Sequence, residues 1–245
     1  MFNLDGKNIL VVGGASGIGR ATADLAAQLG ASVILASRTE AKLAKAAEEI
    51  GRAATYSVMD MTDEMSVRSW AKALPDIDYL VISASSAVHG PFATSETAPL
   101  RGMFDAKFFG PYVTVREVLP KLRDGGAVAL FSGVLSRRPG ENCAGLGAVN
   151  GAVEALTRGL ALELGPRLRV NCISPGMVRT EAYASVPDAA REAMYASTGA
   201  SLPVGRVGEP EEIAGAVIAS LTNGYLTGQI LDVDGGHMIR QYASR

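Results

Sequence analysis

The chain has 245 residues, a formal net charge of −2 at pH 7 and 20% charged residues. That length buries one large core, and the near-neutral balance argues against a polyanion partner such as nucleic acid. The two cysteines, Cys143 and Cys172, form no CxxC pair and have no histidine at metal-ligand spacing. The start Met1-Phe2-Asn3-Leu4-Asp5 carries no signal-peptide pattern, and no apolar run reaches membrane-spanning length. A reduced, cytoplasmic protein without a metal is expected, and without a membrane.

In chain order, short apolar runs alternate with amphipathic stretches, the pattern of βαβ units around a parallel sheet. The predicted strands are Asn8–Val12, Ser32–Ala36, Ala54–Val58, Tyr79–Ser83, Ala127–Ser132, Arg169–Ile173 and Gln229–Val233. The predicted helices are Gly17–Leu29, Glu40–Ile50, Glu64–Ala73, Leu100–Leu122, Gly147–Leu164 and Glu209–Leu221. Together they make an α/β, Rossmann-type doubly wound parallel sheet, a single unit over 1–245. The irregular region 175–208, with a short helical pattern at Asp188–Ala196, has the length of a lid over a site or of a variable insertion.

Strand Asn8–Val12 runs into Gly13-Gly14-Ala15-Ser16-Gly17-Ile18-Gly19 and then into a helix. Such a turn lets backbone approach a pyrophosphate, and the helix N-terminus presents free N–H groups to the anion. The spacing Gly13-x-x-x-Gly17-x-Gly19 is followed by Asn171-Cys172-Ile173-Ser174-Pro175-Gly176, by Thr227-Gly228-Gln229 and by Asp234-Gly235-Gly236. This order resembles the short-chain dehydrogenase/reductase family across essentially the whole chain.

The resemblance implies a nicotinamide dinucleotide. Gly13, Ala15, Ser16, Gly17, Ile18 and Gly19 would line its pyrophosphate. Ser37 and Arg38 follow the second strand, where a hydroxyl and a guanidinium suit a 2′-phosphate, so NADP(H) is expected over NAD(H). Asp60, with Met61, matches the position that holds the adenine amino group, and reads equally as a helix cap. Pro175, Gly176, Val178 and Thr180 match the segment that receives the nicotinamide amide. Val12 replaces a usual threonine. Ile82-Ser83-Ala84-Ser85 stands where the family has Asn-Asn-Ala-Gly, with Ala84 and Ser85 still small enough to admit the cofactor.

Members of the family typically use a serine, a tyrosine, a lysine and an asparagine to move the proton. Aligned through Gly151-Ala152-Val153-Glu154-Ala155-Leu156, those positions fall on Gly133, Leu146, Asn150 and Lys107. No lysine follows Lys121, and no tyrosine lies between Tyr112 and Tyr183, so no shift of alignment restores the pair. A lysine and an asparagine have exchanged helices. Lys107 is therefore a candidate source of charge or a proton, Asn150 a candidate partner of the nicotinamide ribose, and Ser132 a candidate substrate contact. The alternative for each is a residue that reaches solvent, fits, or bonds local backbone.

Other polar groups carry weaker signals. His89 is a lone loop histidine and Cys143 reads as a thiol without a base partner. Arg137, Arg138 and Glu141 suit either an anionic substrate or a solvated cluster with an internal ion pair. Tyr183 and Tyr195 lie on the lid. The small residues Gly147, Ala148, Gly151, Ala152 and Ala155 permit close helix packing, in the monomer or in the homodimer or homotetramer that the resemblance implies. Two readings of the whole remain. One is an atypical NADP(H)-dependent oxidoreductase acting on a small-molecule carbonyl or alcohol; the other is a non-catalytic sensor, scaffold or partner subunit of the same fold.

Overall fold

Ile9, Leu10, Val11 and Val12 are all buried in β1 (Asn8–Val12), as a central parallel strand covered on both faces requires. The computed structural model describes residues 2–83 and 86–239. Around β1 stand β2 (Ser32–Ser37), β3 (Ala54–Val58), β4 (Ile77–Ile82), β5 (Leu122–Phe131), β6 (Arg169–Pro175) and β7 (Ile230–Val233). They form one seven-stranded parallel sheet in the order β3-β2-β1-β4-β5-β6-β7. The order reverses between β1 and β4, which opens a crevice at the carboxyl ends of those strands.

Apolar helix faces cover the sheet on both sides. On one side α1 (Gly17–Gln28), α2 (Glu40–Ile50) and α8 (Pro210–Thr222) bring Ala23, Leu43, Val217 and Leu221 against Val11, Leu35 and Ile173. On the other, α3 (Glu64–Ala73), α5 (Gly110–Val118) and α6 (Ala144–Leu164) bring Trp70, Val115 and Val153 against Leu10, Leu80 and Leu130. Asp63 caps α3, its carboxylate accepting from the Met65 and Ser66 N–H groups.

The expected helix Leu100–Leu122 is broken. It consists of α4 (Thr97–Phe104), a π-turn over Asp105–Phe109, α5 and a 3₁₀ turn at Leu119–Lys121, and Leu122 already belongs to β5. Pro111 supplies the physical reason, because it has no N–H and its ring displaces the carbonyl four residues back, that of Lys107. The turn widens there, and the Gly110 N–H reaches back to the Asp105 carbonyl. Between β6 and α8, the 175–208 region contains a 3₁₀ turn at Glu181–Tyr183 and α7 (Asp188–Ala200), which is four residues longer than its sequence pattern. Its base is closed by Arg179 N–H to Gly208 O and Gly208 N–H to Met177 O, both 2.9 Å.

Candidate active site

Gly13 leaves β1 with φ 85°, a left-handed conformation that favours glycine. At Gly19 the reason is space, since a Cβ would stand 2.3 Å from both the Gly13 carbonyl and Ser83 Oγ. The α1 N-terminus is thereby drawn down onto the ends of β1 and β4. Ser16 is its N-cap but makes no side-chain cap, so the first-turn N–H groups have no side-chain acceptor from that residue. Ala15 and Ile18 turn inward onto the core. Ser83 takes over part of the bracing that an asparagine would give, its hydroxyl donating to Val12 O at 3.2 Å and its N–H to the same carbonyl at 2.9 Å. Ala84 and Ser85, expected beside the cofactor, lie outside the described residues.

At the outer end of the crevice, Ser37 closes β2 and Arg38 follows it, exposed. Asp60 is not the helix cap, which is Asp63. It accepts from the Thr62 N–H at 2.9 Å and from Thr62 Oγ1 at 2.8 Å. The Thr62 N–H, with a smaller contribution from the nearby Arg38 guanidinium, holds the Asp60 carboxyl below the usual carboxylate range. Met61 is buried, its side chain packing in the core, so it can offer a ligand only its backbone.

At the inner end, Pro175 closes β6, and Gly176 approaches Asp234 so closely that a Cβ would stand 2.9 Å from its Cα. Val178 is buried in a bridge to Gly208, and Thr180 reaches over the glycine turn, 3.4 Å from where a Gly17 side chain would begin. Gly133, Asn150 and Pro175 O converge here. The Asn150 Nδ2 donates a long 3.4 Å bond to Gly133 O, and its Oδ1 is buried without a hydrogen-bond partner among the described residues. An unpaired buried acceptor is costly, so a donor such as a ribose hydroxyl fits this position.

Lys107 sits on the π-turn, 8% exposed, and its Nζ donates to the Ser132 carbonyl at 3.1 Å. Burial pushes its amine down from 10.5 to about 8. Lys107 and Asn150, from different helices, thus grip successive carbonyls at the end of β5. The Ser132 hydroxyl is engaged elsewhere, donating at 3.1 Å to Glu154 Oε1. Glu154 is buried, and it also accepts from Ser136 Oγ and lies 3.5 Å from Arg137 Nε. Arg137 in turn forms a bidentate pair with Asp232 and donates to Ser174 Oγ, while Arg138 donates to Met238 O. Arg137's ion pairs are therefore with Asp232 and Glu154 rather than with Glu141.

Sequence reading missed Glu154, although its signal was present: Leu146, Asn150 and Glu154 repeat every four residues and share a face of α6. It also missed that His89 and Cys143 are neighbours, 3.4 Å apart. Tyr183 and Tyr195 pack edge to face at 5.8 Å with Arg179 over the Tyr195 ring, so both rings are engaged in packing within the 175–208 region.

A family model described as "Enoyl-(Acyl carrier protein) reductase" matches residues 13–238. The galactitol 2-dehydrogenase (L-tagatose-forming) of Cereibacter sphaeroides is 35% identical over 253 residues, covering 98% of each chain. A solved structure titled as a short chain dehydrogenase/reductase family protein is 32% identical, with a TM-score of 0.86 over 96% of this chain and 98% of that one. The chain belongs to the short-chain dehydrogenase/reductase family. A further member, a small-chain dehydrogenase solved in complex with NADPH, is 35% identical with a TM-score of 0.81, over 95% of this chain and 98% of that one.

The positions that the sequence assigns to this family's serine, tyrosine and lysine are mutually adjusted here. A Cβ on Gly133 would stand 3.1 Å from Asn150 Nδ2, so a side chain there would crowd the asparagine. Leu146, in the tyrosine position, is 7% exposed and packs with Met103 and Val149 against Val88, Leu100, Phe104, Phe108 and Leu135. Leu146 and its neighbours form an apolar wall on this side of α6.

Proposed function

We propose that this protein is an NADP(H)-dependent oxidoreductase that moves hydride between the nicotinamide and a small carbonyl or alcohol, with Lys107 in place of the tyrosine as proton source. The observation that carries the reading is a buried primary amine, held on Ser132 O and brought to about 8, beside an asparagine with an unfilled acceptor. At neutral pH that amine is mostly protonated yet close enough to titration to give up its proton and regain it. Cofactor, when bound, supplies or accepts the hydride. Arg38 and Ser37 would take the 2′-phosphate, the α1 N-terminus the pyrophosphate, and Asn150 Oδ1 a ribose hydroxyl. Ser132 acts through its carbonyl as a positioning group, its hydroxyl being held by Glu154. The NADPH complex of one relative and the galactitol dehydrogenase named as another support the oxidoreductase reading.

The wall around Leu146 favours a second reading, a cofactor-binding sensor or scaffold without turnover. A spectrophotometric screen of NADPH and NADP⁺ against aldehydes, ketones and polyols separates the two. Turnover that Lys107→Ala abolishes without weakening NADPH binding supports the enzyme. Tight NADPH binding with no turnover by the unaltered protein supports the sensor, and turnover surviving Lys107→Ala overturns the proton assignment.

A further inference from the structure

Residues 86–90 and 140–143, distant in sequence, meet at the rim of the apolar wall. Cys143 is the N-cap of α6, one helical turn before Leu146, and its Sγ lies 3.4 Å from His89 Nδ1. Backbone contacts brace the histidine on both sides. The Val88 N–H donates to Met103 Sδ at 3.4 Å, and the Gly90 N–H donates to Asn142 O at 2.9 Å, tying the histidine loop to the entry of α6. Val88 itself packs in the cluster that contains Leu146. His89 is exposed and Cys143 half-buried, so both are open to a small molecule. Gly140 has no side chain where one would contact Sγ at 3.5 Å.

We infer that Cys143 and His89 form a nucleophilic thiol site that captures the carbonyl carbon of a small aliphatic aldehyde. Burial pushes the Cys143 thiol up, so it reacts as a nucleophile only where a base takes its proton as the new bond forms. An imidazole at bonding distance supplies the base that the thiol lacks, and the helix N-terminus favours the anion as it forms. In the step, the Sγ–C bond forms as the carbonyl π pair moves onto oxygen. The thiol proton passes to His89 Nδ1 and then to that oxygen, giving a hemithioacetal with no change of oxidation state and no further reactant. Leu100, Leu135 and Val88 nearby offer aliphatic surface for the aldehyde's chain.

The carbonyl class rests on the function proposed above, whereas the thiol's reactivity does not, so the test is run without cofactor. Full-length protein is labelled with iodoacetamide near neutral pH, and Cys143 and Cys172 are followed separately by peptide mass spectrometry. Cys172, fully buried, is the internal control. Cys143 is expected to label readily, His89→Gln to slow it about tenfold with an unchanged melting temperature, and butanal to slow it saturably in the unaltered protein. Equal labelling rates with and without His89 overturn the pair, and labelling indifferent to butanal overturns the aldehyde site. Neither outcome touches the hydride-transfer reading, which falls only if NADPH turnover fails.

Discussion

Lys107 sets the terms at the scale of single residues. Its amine is depressed to about 8 from 10.5 because the charged form is buried. The unfolded chain therefore binds more protons between those values, and stability rises with pH across that window. Below it the folded protein bears a penalty of about 3 kcal/mol for the buried charge. Lys107→Met, which keeps an unbranched side chain and removes the charge, should raise the urea midpoint at neutral pH while turnover disappears. The same ionisation fixes the direction of the rate profiles: carbonyl reduction should fall as pH rises through about 8, and alcohol oxidation should rise. Arg38→Asp should move the preference from NADPH toward NADH by about ten- to a hundredfold, the worth of one charge-assisted bond, as read by titration of both cofactors.

Among the elements, α6 and the glycine turn carry the strongest constraints. Gly19→Ala forces a methyl to 2.3 Å from a backbone carbonyl and Ser83 Oγ, so the α1 N-terminus must lift from the sheet. Loss of NADPH binding, measured calorimetrically, is the expected result. Glu154→Gln weakens the anchor of Ser132, Ser136 and Arg137 and should cost about 1–3 kcal/mol in denaturant unfolding. Most strands were legible because parallel strands buried on both faces read as continuous apolar runs, and the helices because their apolar stripes repeat. The break at Asp105–Phe109 was legible only in part. Pro111 was visible, but a π-turn rather than a kink depends on packing that the sequence does not display. Cys143 and His89, 54 residues apart, have no local pattern at all, and only the crossing of two loops makes them a pair.

For the whole molecule, the reversal of strand order between β1 and β4 gathers residues from the glycine turn, β5, β6 and α6 at one sheet end. Those groups were nameable from sequence because the family resemblance maps them. Their partners, such as Glu154 for the Ser132 hydroxyl, were not, since they follow from three-dimensional proximity alone. A ligand bound across so many elements should stabilise the entire fold. At a hundred times its dissociation constant, NADPH should add about 2.7 kcal/mol and roughly 5–10 °C in a thermal scan.

Arg179 clasps the 175–208 region through Glu192, Glu209 and the Tyr195 ring, and both of its carboxylate partners are open to solvent. Attraction between such groups is weakened by dissolved ions. Ionic strength should therefore loosen this region. If the region covers the site and its opening limits product release, molar sodium chloride should speed each catalytic cycle while loosening substrate capture, and Arg179→Gln should reproduce the effect in dilute buffer and abolish the response to added salt.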